Sequence, residues 1–572
     1  MTMLKRIRGS NFLQLVSFML VAGAVCLHFR FEVLWDWANY HFYNPWAFFN
    51  DRWGYDILPA GVNTFFNPLL DIPLYLMVKF WNNYPDVIIF VQGFWGGAAA
   101  FVFFKIIQLF FDANTWKGRS QILLAFAVGV TSWPFFMQLG TSTNEMATSF
   151  FVLSAWLLIF RELKNEPQGH MRGKVFLLAG LLLGAAAGLK LTAVTYCISS
   201  GAALLLCCRC FKPFPKIIGL FILGGLAGFL ITNGFWMLRL YESFGNPFFP
   251  LFNNIFESEY FDHRSFRDTS YLPTDIWGYV FHPFYVAALK YKLEGSLIIA
   301  DYRVLFLYLL MFFLAGRGLY SFWRKRTISG EISSLNKYLW FLCACSYFSW
   351  LVLFGIFRYF IPVSLLSGII LVQAAFAFFP GTGNLRQSFY LSLMIILSYV
   401  LLSAPHYSDS WDQRVSLNPL MSFYTDVWPE LKHDAAFVDK YGDFTKFVEM
   451  EDIALPENTR LQMYEMPVGG SLPLLNEHSD VRGVLMQTSG FNQEGDMLYL
   501  EKWKELRKNA IKGENAAMLI SLEIHKIKYI NYYRKFAEKN NLECHWLINN
   551  IMPWVLCVPA DRVKSVFRWR YQ

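Results

Sequence analysis

The chain has 572 residues, of which 55% are hydrophobic, 19% aromatic and only 16% charged. Soluble domains contain about 45–50% apolar and about 25% charged residues, so this composition excludes a disordered chain, a small disulfide-stabilised domain and an ordinary soluble enzyme. The mean hydropathy of +0.33 predicts a polytopic membrane protein instead. The formal charge of +8 at first suggests a nucleic-acid partner.

Eleven apolar segments are predicted as transmembrane helices, although several are shorter than the about 20 residues that a bilayer core needs. They are 12–29, 87–111, 121–138, 146–160, 175–189, 191–208, 217–237, 303–321, 338–355, 359–379 and 388–404. The first segment follows Lys5, Arg6 and Arg8 and lacks a good cleavage site. We therefore interpret it as a retained signal anchor and not as a removed signal peptide.

Lys and Arg are concentrated in alternate loops, which indicates the orientation of the helices. With the N-terminus in the cytoplasm, the most basic segments lie inside, and the loops 30–86 and 238–302 lie outside. The positive charge is then a topology signal, so we expect no nucleic-acid partner. An odd number of spans places the C-terminal tail outside. We expect an integral protein of a bacterial inner membrane with a periplasmic tail.

The chain divides into a membrane domain, 1–404, and a tail, 405–572, that is long enough for one domain. Strand-like runs alternate with a helical stretch in the tail, which predicts a small extracytoplasmic α/β domain. The strands are predicted at 459–466, 481–487, 526–533 and 553–559, and the helix at 498–512. Cys544 and Cys557 either pair, if the tail is outside the cytoplasm, or remain free.

Asp36 is the first candidate for a functional group, because it lies between Trp35 and Trp37 just after the first span. Partial desolvation there would raise the pKa of the carboxyl and make it a better base. Tyr40 and His41 fall on or near the same face if this stretch is helical. The alternative for Asp36 is a helix cap or a solvated interfacial acid.

Four further residues lie where predicted spans meet the outside. Glu145 and Asn144 occupy a very short hairpin, where an acid is also favoured simply by the positive end of the next helix. Lys190, among small and apolar residues, needs a lipid phosphate or a carboxylate as partner, unless its side chain reaches the interface. Arg358 suits bidentate phosphate binding or interfacial anchoring.

Three other polar residues are weaker candidates for contacts with a donor or an acceptor. Asp56 is an alternative acid in the first outer loop, unless it caps a turn. His263 and Arg264 follow an aromatic run, 244–262, that is typical of an interfacial helix. No HExxH-type pair of metal ligands occurs. Together, acids and cations at one depth suit the binding of a lipid phosphate from the membrane and the deprotonation of a hydroxyl from outside.

The sequence resembles the GT-C superfamily of integral-membrane glycosyltransferases, near the bacterial protein O-mannosyltransferases and the lipid A aminoarabinose transferases. The resemblance is carried by the order of WDWANYHFYNPWAFF after the first span, STNEMATSFF at the second outer hairpin, GLKLTAV, GNPFFPLFNNIFESEYF and FRYFIP. It implies a GT-C-like membrane domain of about 11 helices and an inverting transfer of sugar from a polyprenyl-phosphate donor.

The resemblance also implies roles for individual residues. Asp36 corresponds to the general base, and Glu145 to a second acidic site that orients the acceptor or holds a metal. Lys190 and Arg358 correspond to contacts of the donor phosphate. Asp36 and Glu145 would be the ligands of a divalent cation, Mg²⁺ or Mn²⁺, although Trp37 stands where many relatives have a second acid. The acceptor would be a glycan, a lipid-linked molecule or a protein.

Two other functions are compatible with the same composition. A flippase or transporter of lipid-linked sugars would show repeats and a site in the middle of the membrane, whereas the polar groups here lie at its surface. A polysaccharide polymerase or ligase would use a diphosphate-linked donor and a large outer loop rich in Arg and His. The residues His263, Arg264 and Arg267 give that alternative little support.

Overall fold

The structure is a computed structural model. In the N-terminal part it describes residues 2–29, 36–165, 171–208, 214–264, 268–288, 292–294, 297–298, 301–323 and 333–378. In the C-terminal part it describes 446–448, 450, 453, 455–465, 469–476, 480–488, 500–512, 515–521, 535, 538–547, 549 and 554–559. The predicted domain boundary at 404, the predicted span 388–404 and the predicted strand 526–533 lie outside these residues.

The described residues of the N-terminal part are mostly helical. The helices are α1 (Thr2–Phe29), α2 (Tyr43–Phe49), α3 (Ile72–Trp81), α4 (Pro85–Phe110), α5 (Trp116–Val130), α6 (Trp133–Gln138), α7 (Glu145–Lys164), α8 (Gly173–Leu189), α9 (Val194–Cys208), α10 (Phe214–Phe244), α11 (Asn253–Phe256), α12 (Ile276–Ala287), α13 (Tyr302–Trp323), α14 (Ser334–Leu353) and α15 (Ile361–Phe378). A π-helix spans Trp37–His41, and β1 (Lys292–Glu294) pairs antiparallel with β2 (Leu297–Ile298).

Nine of the eleven predicted spans each coincide with a helix among the described residues. Among the described residues, five helical segments are long and apolar enough to cross a membrane. They are Asn11–His28, Pro85–Phe110, Glu145–Lys164, Phe214–Phe244 and Phe357–Ala377. Helix α10 exposes large apolar side chains, among them Leu230, Ile231 and Leu238, as a lipid-facing helix does. The chain is therefore an integral membrane protein.

One local prediction was wrong. The segment 121–138 is not one helix, because α5 ends at Val130 and α6 begins at Trp133. Pro134 lies in the first turn of α6, where proline is tolerated, whereas inside a continuous helix it would remove a hydrogen bond. The predicted outer loop 238–302 includes the helix α12, which contains Pro283.

Helices α8 and α10 approach each other closely along glycines spaced four residues apart. Gly180, Gly184 and Gly188 of α8 face α10, where Gly224 and Gly228 lie at the contact. A methyl group on Gly184 would collide with the carbonyl oxygen of Gly225. Small residues permit this backbone contact, which replaces the hydrophobic effect as a source of helix association in lipid. Because Lys190 directly follows α8, this contact helps to fix the position of Lys190 relative to α10.

The C-terminal part is a five-stranded mixed sheet, as the predicted α/β domain requires. Its strands are β3 (Thr459–Glu465), β4 (Val481–Thr488), β5 (Ala516–Ser521), β6 (Leu542–Leu547) and β7 (Trp554–Pro559), in the order β4-β3-β5-β7-β6. Helices α16 (Ser471–Leu475) and α17 (Glu501–Ala510) connect the three parallel strands β3, β4 and β5. The sequence did not predict β5 and β6. Cys544 and Cys557 form a disulfide between β6 and β7.

The first loop of the membrane part extends this sheet at its β4 edge. The Ile57 amide donates to the Gly483 carbonyl at 2.9 Å, and the Leu485 amide donates to the Ile57 carbonyl at 2.9 Å. Asp56 accepts from the Gly483 amide at 2.9 Å and from Arg52 Nη2 at 2.8 Å. The edge strand thus obtains backbone partners from the loop, which ties the C-terminal domain to the segment that follows Asp36.

Two further contacts hold the C-terminal domain near Asp36. The Gly470 amide donates to the carbonyls of Ala38 and Asn39 at 2.9 and 3.0 Å, directly on the π-helix. A methyl group on Gly470 would collide with the Ala38 carbonyl. On α17, Trp503 Nε1 donates to the Tyr260 carbonyl at 2.7 Å. The domain therefore contacts the π-helix directly through Gly470.

Gly184→Ala is expected to lower the Tm of the detergent-solubilised protein. The added methyl group meets backbone and not a flexible side chain, so α8 and α10 must separate, and overpacking of this kind costs about 1–3 kcal/mol. Thermal unfolding measures the effect. Gly219→Ala in α10 is the control, because no atom lies within 4 Å of the added group. Equal Tm values for the two variants would contradict the close contact.

Candidate functional site

Asp36 and Arg358 form an ion pair at one end of the membrane helices. Asp36 begins the π-helix after α1, and Arg358 lies on the short 3-10 turn Phe357–Phe360 that leads into α15. Arg358 Nη1 donates to Asp36 Oδ2 at 2.8 Å. Trp350 Nε1 donates to the Ile356 carbonyl at 2.7 Å, which holds the turn that presents the arginine. Residues 322 positions apart are thus joined.

Glu145 and Lys190 continue this pair into a chain of alternating charges. Glu145 is the first residue of α7, and its Oε1 lies 2.5 Å from Lys190 Nζ and 3.5 Å from Arg358 Nε. Lys190 also donates to the Thr143 carbonyl at 2.7 Å. It occupies the extended break between α8 and the turn Leu191–Ala193. Asp36, Arg358, Glu145 and Lys190, which we call the charge cluster, therefore meet as the sequence predicted for groups at one depth.

The charge cluster borders a narrow cleft between the ends of α7, α8 and α9. The ring of Tyr359 lies 5.5 Å from both Lys190 Nζ and the guanidinium carbon of Arg358, a distance suited to cation–π attraction. The cleft is lined by Glu145, Thr148, Ser149, Lys190, Thr192, Ala193, Tyr196, Arg358 and Tyr359. Two cations, hydroxyl groups and an aromatic ring at the end of apolar helices suit the phosphate of a lipid-anchored ligand.

The electrostatics of Asp36 correct one expectation from the sequence. Burial acts to raise its pKa, but the charges of Arg358, His41 and Lys190 together outweigh burial, so the pKa lies below the ordinary value of 3.8. Only 12% of the side chain is exposed. The sequence predicts only the effect of desolvation, because Arg358 and Lys190 come from distant segments of the chain. In this arrangement Asp36 is ionised but is a weakened base.

His41, predicted near Asp36, belongs to a second cluster that the sequence did not predict. His41 Nδ1 lies 2.6 Å from Asp71 Oδ1, and both side chains are buried. Asn144 Nδ2 also donates to Asp71 Oδ1, and the Tyr40 ring lies against the His41 ring at 4.1 Å. Asp71 therefore links the π-helix to the turn before Glu145. The sequence feature that could have indicated this second cluster is Asp71 itself, an acid inside the apolar run 69–81.

The remaining predicted contacts lie elsewhere. Asp56 pairs with Arg52, accepts from the Tyr43 hydroxyl at 3.0 Å and holds the edge of the C-terminal sheet. Arg264 lies 3.3 Å from Asp262 with 45% of its side chain exposed. Neither Arg264 nor its neighbour His263 contacts the charge cluster through any described hydrogen bond or ion pair.

Each carboxylate of the charge cluster faces a cation. Among the described residues, no group of three or more His, Cys, Asp or Glu side chains is arranged to hold a metal. Asp36 and Glu145 already face Arg358 and Lys190, so a metal would have to displace these cations. Dependence on Mg²⁺ or Mn²⁺ stays a prediction from the family resemblance.

Asp36→Asn is expected to reduce stability at neutral pH and to lose that effect in acid. Because the pKa of folded Asp36 lies below its ordinary value of 3.8, the ionised carboxylate stabilises the fold above that value, and the stabilisation disappears as the pH falls through the folded pKa. The difference in Tm between wild type and variant should therefore shrink below about pH 4. Thermal unfolding from pH 7 to pH 3 measures it.

The control is Asp51→Asn in the same loop, where 93% of the side chain is exposed. It should show little difference from wild type at either pH, since exposed pairs contribute about 0–1 kcal/mol. A gap between wild type and Asp36→Asn that stays constant down to pH 3 would contradict the ion pair with Arg358.

Comparison with solved structures identifies the fold. No protein-family model matches the chain, and no curated protein matches it significantly. The apo structure of ArnT from Cupriavidus metallidurans is 12% identical, with a TM-score of 0.50, over 96% of this chain and 98% of ArnT. ArnT bound to undecaprenyl phosphate gives the same identity and coverage with a TM-score of 0.47. At this identity the likeness establishes the fold alone: the chain has the fold of ArnT.

Proposed function

We propose that the protein is a membrane glycosyltransferase that moves a sugar from a polyprenyl-phosphate donor to an acceptor hydroxyl. The observation that carries this proposal is the charge cluster. It combines two carboxylates and two cations, mostly buried, at the end of apolar helices. Cations bind phosphate, and a carboxylate removes a proton from a hydroxyl, so the cluster holds both groups that such a transfer needs.

Lys190 and Arg358 are the proposed contacts of the donor phosphate. Both line the cleft that lies between helix ends, so a polyprenyl chain can remain in the bilayer while its phosphate reaches the two cations. The protein of similar fold from Cupriavidus metallidurans binds undecaprenyl phosphate, which makes this lipid the first candidate. Thr148, Tyr196 and Tyr359 supply further polar and aromatic contacts in the cleft.

Asp36 is the proposed general base. Its carboxylate removes the proton of the acceptor hydroxyl while the oxygen attacks the anomeric carbon of the sugar. The bond from that carbon to the phosphate oxygen breaks, and the phosphate leaves with the bonding electrons, stabilised by Lys190 and Arg358. Attack opposite to the leaving phosphate inverts the anomeric centre. Glu145 holds Lys190 and approaches Arg358, so its role is to position the two cations.

The cluster is expected on the periplasmic side of a bacterial inner membrane, with the N-terminus in the cytoplasm. The disulfide between Cys544 and Cys557 supports this orientation, because disulfides persist in oxidising compartments such as the periplasm. The acceptor would reach the site from that side as a glycan, a lipid-linked molecule or a protein.

Asp36→Asn is expected to lower sugar transfer by about 10²–10⁴-fold, the usual contribution of a general base. The purified protein in detergent would be supplied with a panel of radiolabelled polyprenyl-phosphate sugars, and release or transfer of label would be measured. Asp51→Asn serves as the matched control, because it makes the same substitution at an exposed site of the same loop. It should transfer at the wild-type rate.

Two results would contradict the proposal in different ways. Near-normal transfer by folded Asp36→Asn would move the role of base to another acid, such as Asp56 or Glu145. No turnover of any monophosphate donor by folded wild-type protein would favour a polymerase or ligase with a diphosphate-linked donor, or a flippase.

A further inference from the structure

The charge cluster neutralises itself in the absence of a donor. Asp36 and Glu145 supply two negative charges, and Arg358 and Lys190 supply two positive charges, at distances of 2.5–3.5 Å. The exposed fraction is 12% for Asp36, 18% for Arg358, 16% for Lys190 and 4% for Glu145. Partly desolvated charges interact more strongly than charges in water. A phosphate that enters this site therefore competes with carboxylates that already hold both cations.

The two cations contact the carboxylates through different geometries. Lys190 has Glu145 Oε1 at 2.5 Å and the Thr143 carbonyl at 2.7 Å. Arg358 Nη1 donates to Asp36 Oδ2 at 2.8 Å, while Arg358 Nε lies 3.5 Å from Glu145 Oε1. A guanidinium prefers to offer two parallel N–H groups to one phosphate. The contact with Asp36 is thus the one that a bidentate phosphate would replace.

We propose that the donor phosphate takes Arg358 from Asp36, so that donor binding itself releases the general base. Arg358 is then a positioning residue with two alternative anions, Asp36 in the empty site and the phosphate in the loaded site. The inference rests on the proposed function and adds an order of events to it. Without a donor, Asp36 is held in an ion pair; with a donor, its carboxylate is available to the acceptor hydroxyl.

This exchange implies that Asp36 and the phosphate oppose each other in binding. The energy of the Asp36–Arg358 pair must be given up when the donor binds, and coupled sites typically change affinity by about 5–150-fold. Removal of the carboxylate charge should therefore strengthen donor binding, although it abolishes transfer. A residue that merely contacted the donor or supported the fold would have the opposite effect.

The test is the affinity of the protein for undecaprenyl phosphate in detergent micelles, measured by quenching of intrinsic tryptophan fluorescence. Asp36→Asn should bind this lipid on the order of ten-fold more tightly than wild type. Undecaprenol, which has the same chain without the phosphate, should bind both proteins equally. Asp51→Asn is the matched control and should bind undecaprenyl phosphate as wild type does.

Each outcome decides one question. Unchanged or weaker binding of undecaprenyl phosphate by folded Asp36→Asn would overturn the exchange, even if the variant loses transfer as proposed. If wild type binds undecaprenyl phosphate no better than undecaprenol, the proposed donor class fails first. Should Asp36→Asn not fold, Asp36→Ser tests the same competition, because it removes the same carboxylate from Arg358; it should also bind the phosphate more tightly, and unchanged or weaker binding would overturn the exchange.

Discussion

Arg358 lies between two carboxylates from distant parts of the chain, and the arrangement of the site depends on this contact. Its guanidinium donates to Asp36 and approaches Glu145, which in turn holds Lys190. A buried charge without a partner costs free energy, so each charged side chain of the cluster depends on its oppositely charged neighbours. The loop after α1, the start of α7, the end of α8 and the turn before α15 are therefore fixed relative to one another.

The surrounding structure serves to hold these four segments. Glycine contacts between α8 and α10 place Lys190, and Asn67 Nδ2 ties the first loop to both helices through the carbonyls of Gly188 and Thr232, at 3.2 and 2.9 Å. From the other side, the C-terminal domain adds Ile57 to its sheet edge and holds the π-helix with Gly470. The domain is thus a structural support of the loop that carries Asp36.

A neutral cluster of two acids and two cations differs from a preformed phosphate site with excess positive charge. It binds an anion only if one internal pair is weakened, which couples ligand binding to the state of the carboxylate. The pKa of Asp36 is lowered because the charges of Arg358, His41 and Lys190 outweigh the effect of burial. This lowering reflects the attraction between the carboxylate and the cations. In the proposed reaction, the same proximity would make Asp36 a weak base in the empty site and a competitor of the donor phosphate for Arg358.

The sequence by itself determined the membrane class, the positions of most helices, the α/β character of the tail and the candidates Asp36, Glu145, Lys190 and Arg358, because hydropathy and the cost of charges near lipid are local properties. Only the tertiary structure decided which of these charges pair. The contact of Asp36 with Arg358 spans 322 positions. The partner of His41, the structural use of Asp56, the strands β5 and β6 and the direction of the Asp36 pKa were likewise decided there. Each depends on distances between segments far apart in the chain, and no local pattern encodes such distances.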